Sequence, residues 1–372
     1  MEGKGKKLWR RMKCDQLIDY NSLPAYLKDN EFILGYYRSE WPLKQLILSI
    51  FHVHNETINI WTHLIGFLLF LFLTIHAAAK IPSTIDNLRR VDFSKICEEV
   101  VNCLISLPTM ADLSRLKDAL SSLSTWHITQ VITKCLPHHL SSTNNFNATT
   151  SDGSISVINH QSGIGSNVAM IQPITRWPFF AFLGGAMFCL LNSTFCHLLG
   201  CHSERLRYVV LRLDYAGIAV LISTSFYPTV YYSFMCHPLP LYLYLSTITS
   251  FGIITILLSL LPSFQKPSFR PFRTTLFIAM AVTGVAPIVH KVWVHGNQPV
   301  IIETTKNEVM MGIFYGLGAI VYATRIPERW WPGKFDLVGS SHQLFHMLVI
   351  AGAYTHYRAG LIYVEWRDYE RC

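Results

Sequence analysis

The chain has 372 residues, 51% of them hydrophobic and only 15% charged, against about a quarter charged in a soluble domain. An ordinary soluble fold is excluded. The net charge of +8 would suit nucleic acid in a soluble protein, but the basic residues cluster in short segments beside apolar runs, so no nucleic-acid partner is expected.

In chain order, residues 1–13 (MEGKGKKLWRRMK) are basic with no apolar core behind them and read as a solvated tail, not a cleavable signal peptide. Met-Glu-Gly does not fit N-myristoylation, nor the final Glu-Arg-Cys a prenylation box. Trp41 to Phe51 sets Leu43, Leu46, Leu48 and Phe51 near one face, which predicts a helix lying on the cytoplasmic leaflet. Seven apolar runs follow, at 58–79, 177–199, 209–233, 239–261, 274–293, 307–325 and 342–364, each long enough for the ~30 Å hydrocarbon core. The predicted fold is an all-α membrane protein with seven transmembrane helices, in the plasma membrane or an endomembrane.

Residues 1–57 read as the N-terminal segment, 58–364 as the membrane domain and 365–372 as a short tail. The interruption at 80–176 reads as a long external loop. Its first half has helical periodicity broken at Pro108, and Ser141 to Ser166 is too polar to repay the entropy of folding. Asn147-Ala-Thr149 in that loop is a glycosylation sequon. Nine cysteines without paired spacing predict no disulfide framework.

Lys and Arg give the orientation. The N-terminal segment and the loops after spans 2, 4 and 6 hold eighteen, whereas the opposite side holds five outside the long loop, Lys291 and Lys306 among them. That asymmetry puts the N-terminus in the cytoplasm and the C-terminus outside.

Ionisable side chains inside spans are costly and mark functional sites. Ser193 and His197 are four residues apart near the end of span 2, and His342 and His346 have the same spacing at the start of span 7. Residues four apart share a helical face, so the two imidazoles of span 7 aim at one point. Asp214 opens span 3. The charge-derived topology sets all of these at the cytoplasmic depth, where three imidazoles with an open position would form a catalytic zinc site. Asp214 would then accept from the bound water or a ligand imidazole, and Ser193 would bond the water, the Asp or a substrate carbonyl. Two histidines on one face also arise simply by pairing polar groups within a bundle. Among the remaining groups, Cys201 reads as an interfacial thiol open to palmitoylation. His63 and His290 read as interhelical hydrogen-bonding residues. Glu56 reads as a cap of the first turn of span 1. Pro228 and Pro287 read as span kinks, and Trp177, Tyr231 and Tyr232 as interfacial belt residues.

The stretches HNETINIWTHLIGF (54–67), STFCHLLGCHSE (193–204), LDYAGIA (213–219), YYSFMC (231–236), RIPERWWPGKFD (325–336) and SHQLFHMLVIAGAYTHY (341–357) resemble the progestin and adipoQ receptor family, the haemolysin-III-related proteins that include the adiponectin receptors. The segment 22–57 and the long loop are most similar to the plant heptahelical branch. The resemblance implies a cytoplasmic N-terminus and a Zn2+ ion on His197, His342 and His346 with Asp214 and Ser193 beside it. It further implies ceramidase-like hydrolysis of a membrane lipid amide, and plant roles in hormone, sugar or stress signalling with a sterol or steroid ligand as one option. The alternative is a receptor in which zinc is structural and no hydrolysis occurs. The chain lacks the long N-terminal extension of the animal receptors, so adiponectin and their intracellular adaptors are not implied as partners.

Overall fold

The computed structural model describes residues 16–90, 174–265 and 267–372. Among these, the regular structure is helical apart from a single bridge between Ile18 and Tyr37. In lipid, backbone N–H and C=O groups must be satisfied within the segment, and that requirement selects helices for apolar runs of this length. The helices are α1 (Leu43–Leu48), α2 (Thr57–Arg90), α3 (Trp177–Leu199), α4 (Glu204–Phe234), α5 (Pro238–Ser259), α6 (Arg270–Val282), α7 (Val285–His295), α8 (Pro299–Thr324) and α9 (Ser341–Tyr369).

Five spans are both long and apolar enough to cross a bilayer: Thr57–Ala79, α3, α4, α5, and α6 with α7 over Pro271–His295. α8 and α9, of 26 and 29 residues, are also long enough at ~1.5 Å per residue. Glu308, His346, His356 and Arg367 among their polar residues lie buried in the protein, whereas Glu303, Lys306, Arg358 and Glu365 are exposed. The chain is an integral, multi-pass membrane protein. α2 runs past residue 79 as far as Arg90, and α9 past residue 364 as far as Tyr369. Pro108, Ser141 to Ser166 and the Asn147 sequon lie outside the described residues.

Apolar side chains of α2, α3 and α9, among them Phe70, Phe182, Leu190, Val349 and Tyr357, make one core. A second joins α4, α5 and α6 through Phe226, Val230, Leu241, Ile248 and Met280. The fifth span, expected as one run over 274–293, is two helices meeting at Thr283 and Gly284. A Cβ on Gly284 would lie 1.6 Å from the Phe226 ring, so only glycine lets α4 approach there. Pro287 falls in the first turn of α7, where its missing N–H breaks no hydrogen bond, so it helps start a new helix and does not kink a continuous one. Pro228 does lie inside α4. Tyr232 is buried and donates to the Thr175 carbonyl, so it is no belt residue, whereas Trp177 is exposed.

The N-terminal segment is more than a tail. From Leu23 to Leu46 it folds over its own small core of Leu23, Leu27, Trp41 and Leu46, closed by Cys201. Cys201 is thereby buried and not open to acylation. In the predicted interfacial helix, Leu46 belongs to this core, while Leu43, Ile47, Leu48 and Phe51 are exposed. A disulfide also departs from expectation. Cys236, just after α4, is bonded to Cys372 with their Cα atoms 5.1 Å apart; a sequence separation of 136 leaves no local spacing to reveal it.

Lys291 of α7, grouped by sequence with the loop charges, is fully buried inside the bundle. Its Nζ donates to Glu308 Oε2 at 2.6 Å and to Tyr363 at 2.7 Å, and lies 3.4 Å from Thr304. Glu308 Oε1 accepts from Tyr363 at 2.7 Å and from Thr229 at 3.0 Å. Four helices thus share one closed polar cluster in which each charge has its partners. Removing one member strands a buried charge, so Lys291→Met is expected to cost about 3–5 kcal/mol, and Lys291→Met with Glu308→Leu much less. Thermal unfolding in detergent compares them, and an equal loss in both would show that the pair does not act as a unit.

Candidate metal centre

The last turns of α3 and the first turns of α9 meet at one end of the bundle and carry the three histidines. His197 and His342 are half-buried and His346 is buried. His342 Nε2 lies 3.1 Å from His197 Nε2 and 3.2 Å from His346 Nε2. The ligand atoms of all three fall within 4.8 Å of one another. Tetrahedral coordination at ~2.0–2.1 Å places neighbouring ligand nitrogens ~3.3 Å apart, close to these separations.

The hydrogen bonds behind the rings fix their tautomers. Thr62 Oγ1 donates to the Ile58 carbonyl at 2.8 Å, so toward His346 Nδ1, 3.2 Å away, it can only accept. His197 Nδ1 meets Glu56 Oε2 at 2.8 Å, and an ionised carboxylate is an acceptor only. Both rings therefore carry their proton on Nδ1 and turn an Nε2 lone pair toward His342. A proton on His342 Nε2 can serve only one of these lone pairs at a time, and three neutral imidazoles aimed at one point are a donor set for a divalent transition metal. The group can hold a metal ion.

Two buried charges hold the turns that carry it. Arg38 donates to the His197 carbonyl at 2.7 Å, to Ser49 Oγ at 2.6 Å and, more weakly, to the Leu198 carbonyl at 3.4 Å. Glu328 accepts from the backbone N–H of Ser341 at 2.7 Å and from the Ser341 hydroxyl, at the start of α9. On the other side of the cluster, the buried Ser193 hydroxyl hydrogen-bonds the half-buried Asp214 carboxylate.

Glu56 is the residue that sequence reasoning misassigned. Glu56 does stand at the start of α2, but its carboxylate bonds His197 and the Asn59 amide, while the Thr57 hydroxyl ties the preceding turn by accepting from His54 N and donating to the His52 carbonyl. Burial alone would raise the Glu56 carboxyl, but His197 and the Asn59 amide outweigh it and hold Glu56 well below the usual carboxylate range. Its sequence signal was a charge just outside a span, at the depth assigned to the histidines. Burial, with Arg38 near, pushes His54 down to about 4. Neutral His54 accepts from Glu56 N and donates to the Ser49 carbonyl. His63 does not make the expected interhelical hydrogen bond. Its ring stacks on His346 with centroids 3.5 Å apart, and neither nitrogen has a hydrogen-bond partner. His290 does pair, with Tyr244 at 3.1 Å.

These histidines and their neighbours fall within a match to the family described as haemolysin-III related, over residues 51–357. The chain belongs to that family. It is similar to heptahelical transmembrane protein 4 of Arabidopsis thaliana, 54% identical over 99% of this chain and 93% of the relative. Heptahelical transmembrane protein ADIPOR3 of Oryza sativa subsp. japonica is 53% identical over 100% and 96%. The adiponectin receptor protein of Drosophila melanogaster is 31% identical over 95% of this chain and 60% of the relative. The protein is thus a heptahelical, adiponectin-receptor-like member of its family, as the motifs of the first and last spans implied.

A metal bridging α3 and α9 would tie two helices that are far apart in sequence. Treatment of the purified protein with a strong chelator is expected to lower its apparent melting temperature, with little change in His342→Ala. Equal shifts in the two proteins would exclude a metal on these residues.

Proposed function

We propose that the ion is Zn2+ and that the protein is a receptor-like hydrolase of a ceramide-like membrane lipid amide, serving hormone, sugar or stress signalling. The observation that carries the reading is three converging Nε2 atoms with a Ser193–Asp214 pair close by, Ser193 one turn before His197 on α3. Zinc on such ligands lowers the pKa of a bound water to about 7 and polarises a carbonyl. Asp214 orients the attacking water and takes its proton as the water adds to the amide carbonyl, then returns that proton to the departing amine. Ser193 holds the carboxylate in place for both transfers. The products are a fatty acid and a sphingoid base. His197, His342 and Asp214 are only half-buried, as a site that admits a substrate requires.

The proposed orientation has a cytoplasmic N-terminus and an external C-terminus, with the histidines at the cytoplasmic end. Placing Lys291 inside the bundle sharpens the charge asymmetry. The Cys236–Cys372 disulfide lies at the opposite ends of α4 and α9 from the histidines, on the side where an oxidising compartment is expected. In cells, a tag before Met1 should need permeabilisation for antibody access and a tag after Cys372 should not; the reverse pattern would overturn the orientation.

Release of fatty acid from labelled ceramide, with zinc measured on each sample, tests the chemistry. Asp214→Asn is expected to keep its zinc and lose about 10- to 100-fold in activity, and His346→Ala to lose both. If the unmodified protein releases no more than His346→Ala across several amide lipids, the hydrolase reading falls. A structural zinc in a receptor for a sterol, steroid or other ligand then replaces it.

A further inference from the structure

We propose that Glu56 is a positioning residue for the metal, its carboxylate holding His197 in the tautomer and orientation that present Nε2 to the ion. The inference rests on the metal reading given above and adds to it a residue that the Ser-Asp chemistry does not use.

Glu56 is well placed to act through His197. It sits one residue before α2, yet its Oε2 meets the His197 ring, 141 residues away in sequence, at 2.8 Å. The same oxygen accepts from Asn59 Nδ2 at 2.6 Å. The backbone is pinned as well, since Glu56 N donates to His54 Nδ1 at 3.1 Å and the Glu56 carbonyl accepts from Ile60 N at 3.0 Å. Side chain and backbone are therefore both fixed before any ion arrives, although the side chain keeps 32% exposure.

A carboxylate on the far nitrogen of a ligand imidazole does three things. It excludes the tautomer protonated on Nε2, stops rotation of the ring about its own axis, and makes Nε2 a better donor. It also brings one negative charge toward a site whose three imidazoles carry none. Asp214 cannot take this part, because its hydrogen bond is to Ser193. The two carboxylates thus divide the work, Glu56 acting on the ion's retention and Asp214 on the substrate's protons.

The helix-cap alternative makes a different prediction. A cap acts on α2 whether or not metal is present, whereas a positioning residue acts on the metal-loaded state. The test uses the full chain purified in detergent, with zinc affinity read by competition with a chromophoric chelator and the visible spectrum read after loading with Co2+. Glu56→Gln keeps the shape, but it removes the charge and offers an N–H toward Nδ1. It should bind zinc about 10- to 100-fold more weakly and alter the Co2+ bands, and its melting temperature should fall less without metal than with it. Glu56→Asp, which keeps the charge on a shorter arm, should fall between the two and carries the test if Glu56→Gln does not fold. Zinc affinity within twofold of the unmodified protein in the variant read would overturn the proposal, as would a loss of melting temperature as large without metal as with it. An unmodified protein that binds no zinc would overturn the metal reading itself, and that arm is read first.

Discussion

The last carbonyls of a helix have no partner within it, and where that end is buried a donor must come from elsewhere. At the end of α3 the donor is the Arg38 guanidinium. At the start of α9 the need is reversed, and the Glu328 carboxylate meets it. A cation at a helix C-terminus and an anion at an N-terminus are each favoured by the helix dipole. The three histidines ride on the turns these two charges hold. Segments that read as peripheral are thereby bound to the centre, Arg38 through the N-terminal fold and Glu328 through the loop between α8 and α9. These two segments also bond each other, through Asp336 on the N–H groups of Leu34 and Gly35 and through the Phe32 carbonyl on Gly333 N. The histidine end of the bundle is a clamp built around two helix termini.

Polar groups elsewhere follow the same constraint. Inside a bilayer an unpartnered charge is costly, and α8 and α9 bury Glu308, His346, His356 and Arg367 on faces turned into the protein. Lys291, Glu308 and Tyr363 meet this by closing a cluster on themselves, with every strong donor and acceptor used. The histidine cluster does the opposite. The Nδ1 atoms of His197 and His346 have partners, while the Nε2 atoms of all three rings converge. One arrangement is closed on itself, and the other can hold a cation.

What could be read in the sequence follows from these differences. The spans were legible because hydropathy over some twenty residues is a local property. The i, i+4 pair of His342 and His346, and Ser193 with His197, were legible because a helix converts short spacings into shared faces. Contacts made across the fold were not. Glu56 on His197 and Cys236 with Cys372 join residues more than a hundred positions apart, and nothing nearby in sequence marks either partner. The break at Gly284 was hidden because hydropathy is blind to backbone geometry, and the tight approach of Phe226 exists only in the packed state. Cys201 and Leu46 were misread for a related reason. A segment too polar to be a span still buries a small core of its own, and burial there depends on what folds over it.

The buried position of Lys291 has a consequence for how the chain enters the membrane. A lone lysine makes insertion of a span unfavourable, by up to about 2.5–3.5 kcal/mol at the helix centre and by less toward an end, where Lys291 lies. The span made of α6 and α7 is moderately apolar and interrupted, so it has little surplus to absorb that penalty. Its counter-charge, Glu308, lies on the very next helix, only a tight turn away at Gly296 to Gln298. The two helices are therefore suited to leave the translocation channel together as a neutral hairpin. Neither would have to partition into lipid with its charge exposed.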